Sequence, residues 1–173
     1  MIIAQTERLI LRLQTLLDAE KLVEMNSDPE VLRYTGDTTL AHVSEARTLL
    51  EEKVFPQWQN YKMGRFAVTL KCGDYLGWCG LKFHPETSEV DLGYRFLKKF
   101  WGKGYATESS RAALEYGFDH LNLERIIAKA MPDNKGSLKV IQKLGMSFRG
   151  YQHDPTDPQS FIRYELNRNE WKG

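Results

Sequence analysis

The segment Lys99-Phe100-Trp101-Gly102-Lys103-Gly104-Tyr105-Ala106-Thr107-Glu108 constrains this 173-residue chain more than any other stretch. It joins a β-like run at 90–97 to a long amphipathic helical run that starts near Gly104. Two glycines one residue apart let the backbone turn tightly and expose successive N–H groups. The helix behind them leaves its first N–H donors unpaired and adds a partial positive charge. Such a turn suits an anion, above all a phosphate or pyrophosphate. Lys98, Lys99 and Lys103 add formal charge nearby. The expectation is a phosphorylated cofactor held between a strand and a helix.

The remaining pattern surrounds that turn with a sheet. Residues 8–13 read as a strand and 18–25 as a short helix. Asp28-Pro29 opens another turn, 35–39 is a loop, and 43–58 has helical spacing. Residues 66–70 and 76–81 form a hairpin around Gly73-Asp74, followed by a strand at 89–97. Ala106, Ala113, Leu114, Gly117, Phe118 and Leu121 mark one face of the long helix. A strand at 126–130, a helix at 137–144 stopped by Gly145, and strands at 148–153 and 161–166 close the chain. The order predicts an α/β fold in one domain spanning 1–173: a mixed, mostly antiparallel seven-stranded sheet with helices on both faces.

Composition narrows the function. Lys plus Arg number 24 and Asp plus Glu 23, a net charge of +1, which argues against a dedicated nucleic-acid binder. No apolar run approaches the roughly 20 residues of a membrane span, and the first residues lack a signal-peptide pattern. A cytoplasmic protein without a membrane partner is expected. A two-residue turn at Gly73-Asp74 would set Tyr75 opposite Cys72 and Val68 opposite Cys79. Both thiols then read as small core or near-core groups rather than a disulfide. His42, His120 and His153 have no metal-ligand spacing.

Several pieces in a fixed order resemble the GNAT N-acetyltransferases of the RimJ/RimL type. They are Thr6-Glu7-Arg8-Leu9-Ile10-Leu11-Arg12, Asp91-Leu92-Gly93-Tyr94, the segment from Trp101 to Glu108, Asn134-Lys135-Gly136-Ser137, Lys143-Leu144-Gly145-Met146 and Arg168-Asn169-Glu170-Trp171. The resemblance implies a sheet splayed at its central strands, acetyl-CoA as donor, a primary amine as acceptor and no metal. It implies that Lys99 stands where the family carries Gln or Arg. It also implies that backbone amides from Gly102 through Lys103, Gly104, Tyr105 and Ala106 hold the pyrophosphate.

Phe96 and Leu97 would pair with the pantetheine arm like an added strand, and one of their N–H groups would meet the thioester oxygen. Asn134 would bond the pantetheine amide. Ser137 would protonate the leaving thiolate, since the tyrosine that many relatives use for this is replaced by Ile141. Read without the family, Asn134 and Ser137 are helix-capping residues. Asp91 is the first choice for general base, with Glu89 and His84 behind it; Lys129 stands where some relatives carry a glutamate base. Tyr34, Trp58, Trp78 and Tyr94 are the acceptor-pocket residues, although each is also an ordinary core aromatic. Two rivals stay open: a dinucleotide-binding fold, and a non-catalytic acyl-CoA-binding sensor. Monomer and homodimer are both open, as is the identity of the amine.

Overall fold

The computed structural model describes residues 1–153 and 160–173. Its frame is an eight-stranded sheet of order β1-β2-β3-β4-β5-β6-β8-β7, one strand more than the sequence predicts. The additional strand is β1 (Ile2–Gln5), antiparallel to β2 (Leu9–Arg12) with Ala4 opposite Leu11. Four residues on a half-exposed edge are too few to show a period-two pattern. The others are β3 (Gly64–Leu70), β4 (Tyr75–His84), β5 (Glu89–Phe96), β6 (Arg125–Ala130), β7 (Ser147–His153) and β8 (Ser160–Asn167).

All neighbours pair antiparallel except β5 and β6, which are parallel and meet at a single register, Asp91 opposite Ile127. Beyond that point the two strands part. A doubly wound parallel sheet, which the dinucleotide reading requires, is therefore absent.

Alternation along β5 decides what each face of the sheet does. Val90, Leu92 and Phe96 enter a core shared with Ala113, Leu114 and Phe118 of the helical run after Gly104 and with Ile141. On the other face Ala67, Tyr75 and Leu97 pack on Leu22, Met25 and Ala46. A fully buried Leu such as Leu22 or Leu114 contributes about 1.5–3 kcal/mol, so both layers are firmly held. The helices of the second layer are α1 (Ala19–Asn26), α2 (Pro29–Leu32), α3 (Val43–Leu49) and α4 (Phe55–Tyr61). The helix expected at 43–58 is thus α3 and α4 joined by a π-helical turn, Leu50–Val54. Pro56, with no N–H to donate, sits in the first turn of α4.

On the opposite side lie α5 (Tyr105–Glu115), which ends in a π-helical turn at Tyr116–His120, and α6 (Lys135–Lys143). The C-terminal Trp171 stacks 5.6 Å from Phe118 and closes this layer.

The hairpin departs from expectation in register. The loop between β3 and β4 holds four residues, 71–74, with Leu70 N–H donating to Asp74 O at 2.9 Å. A register shift between Val68 and Thr69 accompanies it, so Phe66 faces Cys79, Val68 faces Gly77 and Tyr75 faces Thr69. Cys79 is buried as expected, whereas Cys72 lies exposed in the loop; both are free thiols.

Candidate active site

Where β5 and β6 part, a cleft of about 620 Å³ runs from Tyr34 and Arg95, past Tyr94, Phe96 and Ser137, to the Gly102–Gly104 turn. Its construction starts with backbone direction. Leu97 N–H donates to Leu76 O at 2.9 Å, toward β4. Successive peptides of a strand point to opposite sides, so the N–H and C=O of Phe96 face the gap left by β6. Leu97, buried in the second core layer with its amide engaged, is not part of the cleft. Of the two residues expected to pair with the pantetheine arm, only Phe96 turns its backbone to the gap. Its carbonyl accepts the Trp101 indole N–H at 2.8 Å.

Gly102 and Gly104 have φ of +74° and +83°, in the left-handed region that glycine favours. Gly104 is the N-cap of α5, and the first intrahelical bond runs from Glu108 N–H to Gly104 O. The amides of Tyr105, Ala106 and Thr107 are therefore left free at a positive helix end. The turn is braced from the connection between β1 and β2. Thr6 Oγ1 donates to Glu108 Oε1 at 2.6 Å, Arg8 Nε to Glu108 Oε2 at 2.6 Å, and Arg8 Nη1 to Lys103 O at 2.9 Å. The Arg8 guanidinium also lies 4.7 Å from the Tyr105 ring centroid. The separate motifs Thr6-Glu7-Arg8 and Ala106-Thr107-Glu108 are thus two halves of one clamp on the anion turn.

The lysines expected at that turn do not face the cleft. Lys99 pairs with Glu24 at 3.2 Å, and Lys103 lies over the Phe100 ring at 5.5 Å; neither lines the cleft. Trp101, beside the turn, does line the cleft. The positive charge comes instead from Lys135, Lys139 and Lys143, spaced four apart on α6 and lining the cleft opposite the turn. That spacing puts them on one helix face. It was legible in the sequence and is the signal that the reading above passes over.

Asn134 and Ser137 open α6. Asn134 Oδ1 accepts from Ser137 N–H at 3.1 Å, so the capping role is real, and both residues also line the cleft. Tyr94, expected in an acceptor pocket, lines the cleft, reaches across the gap and donates its hydroxyl to Ser137 Oγ at 3.0 Å. Burial pushes the Tyr94 phenol up to about 12, so it stays a donor at neutral pH. The Ser137 oxygen accepts that bond, which leaves its own proton free to point into the cleft. Ile141 is buried in the core one helical turn on.

Asp91 is elsewhere. It lies on the opposite face of β5, with Oδ2 2.6 Å from Arg65 Nη2 and Oδ1 2.8 Å from His84 Nε2. Burial raises this carboxyl, but Arg65 and His84 outweigh it and hold it well below the ordinary carboxylate range. A carboxylate so held is a poor proton acceptor, and Asp91 does not line the cleft. The other base candidates fare no better. Glu89 is ion-paired to Arg163 at 2.5 Å, its carboxyl lowered chiefly by that bond, and His84 belongs to the Asp91 cluster. Lys129 is exposed on β6.

Of the aromatics, Tyr34 lines the cleft. Trp58 lies edge-on to Phe66 at 6.3 Å, beside a separate apolar cavity. Trp78 stands between the guanidiniums of Arg65 and Arg95, each 5.4 Å from its ring, and reaches the site only through Arg95. Among the described residues no group of His, Cys, Asp and Glu is arranged to hold a metal, and no helix is long and apolar enough to cross a membrane. The side chain of His153 lies outside the described residues.

Comparison with known proteins places this geometry. The profile of the acetyltransferase (GNAT) domain matches residues 8–147. An N-acetyltransferase of Bacillus licheniformis, p20, itself uncharacterized, is 36% identical over 151 residues, covering 86% of this chain and 84% of that protein. The crystal structure of a GNAT-family acetyltransferase from Bacillus anthracis superposes with a TM-score of 0.84 at 27% identity, covering 98% of this chain and 100% of that one. RimL, a ribosomal L7/L12 α-N-protein acetyltransferase solved with coenzyme A, shares the fold with a TM-score of 0.82 at 16% identity over 98% of this chain and 99% of its own. The chain belongs to the GNAT acetyltransferase family and is an N-acetyltransferase of RimJ/RimL-like architecture.

Proposed function

We propose that the protein moves an acetyl group from acetyl-CoA to a primary amine by direct attack in a ternary complex. The observation that carries this reading is one continuous cleft that joins the free amides of the Gly102–Gly104 turn, the gap-facing backbone of Phe96 and the Ser137 hydroxyl. The free amides at the α5 start and the lysine row of α6 suit the pyrophosphate and phosphate of coenzyme A. Asn134 and the Phe96 backbone suit the two amides of the pantetheine arm.

The chemistry follows from these positions. The amine nitrogen attacks the thioester carbonyl carbon, the C–N bond forms, the C–S bond breaks, and the sulfur leaves as a thiolate. The Phe96 N–H stabilises the oxyanion that develops on the carbonyl oxygen. Ser137 donates a hydrogen bond to the departing thiolate, which solvent then protonates, and Tyr94 holds the serine oxygen in place. A thiol of pKa about 8.5 needs only modest help to leave, so a hydroxyl donor suffices. The amine must be neutral when it attacks. With Asp91 and Glu89 both locked in ion pairs, water carries its proton away, and the rate rises with pH toward the pKa of the acceptor itself. RimL is a ribosomal L7/L12 α-N-protein acetyltransferase, and that likeness supports testing peptide N-termini alongside small amines as acceptors.

The test is thiol release from acetyl-CoA over a panel of amines, with the acetylated product identified by mass spectrometry. Turnover with an amine of any class supports the reading. Tight acetyl-CoA binding with no turnover on any amine would instead favour the sensor.

A further inference from the structure

The acceptor end of the cleft holds a cation in an unusual state. The Arg95 side chain is only 10% exposed, and its Nε, also buried, has no hydrogen-bond partner among the described residues. Nη1 donates to Asn26 Oδ1, a neutral group on α1. Among the described residues the carboxylate on Arg95 is Asp37, which meets Nη2 from the 33–42 connection between α2 and α3 and is itself 59% exposed. One ring face of Trp78 supports the guanidinium. The neighbouring Arg65 differs in kind, because its carboxylate, Asp91, comes from within the sheet. A buried guanidinium requires a carboxylate partner; Arg65 has a fixed one and Arg95 a removable one.

Arg95 also stands one residue, about 3.8 Å along the backbone, before Phe96, whose N–H faces the reacting carbonyl. Both residues line the same cleft, so a carboxylate held by Arg95 would share that cleft with the attacking amine. We infer that Arg95 is the acceptor-binding residue for a carboxylate carried close to the reacting amine, and that Asp37 occupies this site until the acceptor displaces it. Arg95 fits such a group because its planar fork binds carboxylates through two parallel bonds. The inference rests on the acetyl-transfer reading above and adds the class of acceptor: an amine with a nearby carboxylate, either an amino acid or a peptide with an acidic residue next to its N-terminus.

The experiment measures kcat/KM for matched acceptor pairs. One arm compares amino acids with their amides. A second compares C-terminally amidated peptides beginning Ser-Asp with those beginning Ser-Asn. A preference of about tenfold or more for the carboxylate member is expected in one arm, and the arm that shows it identifies the source.

In Arg95→Gln the ratio should fall to near one while binding of acetyl-CoA, read by calorimetry, persists as proof of folding. In Asp37→Ala the ratio should rise, through a lower KM for the carboxylate acceptor. This second variant lies on an exposed connection and keeps the test decisive if the buried substitution fails to fold. Turnover of neutral amines with no preference in either arm, or an Asp37→Ala ratio that is unchanged or lower, overturns the acceptor assignment while leaving acetyl transfer intact. No turnover with any amine overturns both.

Discussion

The two faces of β5 carry polar side chains under opposite rules. On one face Arg65, Asp91 and His84 satisfy one another through bonds of 2.6 and 2.8 Å, and the unmet donor on that face, Arg95 Nε, lies at its cleft end. On the other, Tyr94 gives its proton to Ser137 and leaves the serine proton free, while Phe96 turns its backbone to an open gap. Two residues, Leu92 and Gly93, separate Asp91 from Tyr94. A group that has spent its hydrogen bonds holds the fold, and a group with bonds to spare does chemistry. Charge alone does not distinguish the two.

The sharpest way to break this contrast is to substitute one residue on each face. Ser137→Ala should lower kcat by about a hundredfold, the low end for one lost donor to a developing charge because a thiolate leaves readily, with little change in acetyl-CoA affinity. Chemistry-limited turnover that stays unchanged would remove the serine from the reaction.

Asp91→Asn should act on stability instead, by about 2 kcal/mol at neutral pH. This is below the about 3–5 kcal/mol of a fully buried pair, because both side chains keep some solvent contact. The sign follows from the depressed carboxyl. The folded value lies below the unfolded value near 3.9, so the contribution is full above the unfolded value and is lost as pH falls through the folded one. Denaturation of wild type and variant should differ most at neutral pH and converge in acid. The alkaline rise of the rate should be the same in both proteins, and a shifted rise would return Asp91 to the chemistry.

Gly104→Val tests the anion turn. A β-branched residue in the left-handed region costs about 1–2 kcal/mol, and its Cβ would meet Arg8 Nη2 at 3.3 Å. Calorimetry should show acetyl-CoA binding weakened by roughly tenfold. The smallest effect belongs to Lys139→Ala with Lys143→Ala: affinity down by a few-fold, and less so at high salt, as exposed charges require.

The sequence carried the parts of this picture that depend on local order. The strand at 89–97, the glycine turn and the helix after it, and the Asn134-to-Ser137 start of α6 all lie near their expected places because periodicity and capping are local properties. What it did not carry depends on direction and partners. The choice between Phe96 and Leu97 turns on which way one peptide points, and Leu76 on a different strand settles it. Asp91 looked like a base because a carboxylate before Leu-Gly-Tyr resembles one, but Arg65 comes from β3, 26 residues away. Lys99 and Lys103 flank the turn in sequence and point elsewhere in space, while the lysines of α6 arrive from across the cleft. The missed β1 and the slipped hairpin register have a shared cause, since short edge strands and bulges leave little trace in a pattern of alternation.

Amide hydrogen exchange with and without acetyl-CoA tests most directly whether the chemistry belongs to the gap side of β5. The account predicts protection at Phe96, at 102–107 and at 134–143, with 82–91 unchanged. Protection centred on the Arg65, His84 and Asp91 cluster, with none at the glycine turn, would contradict it.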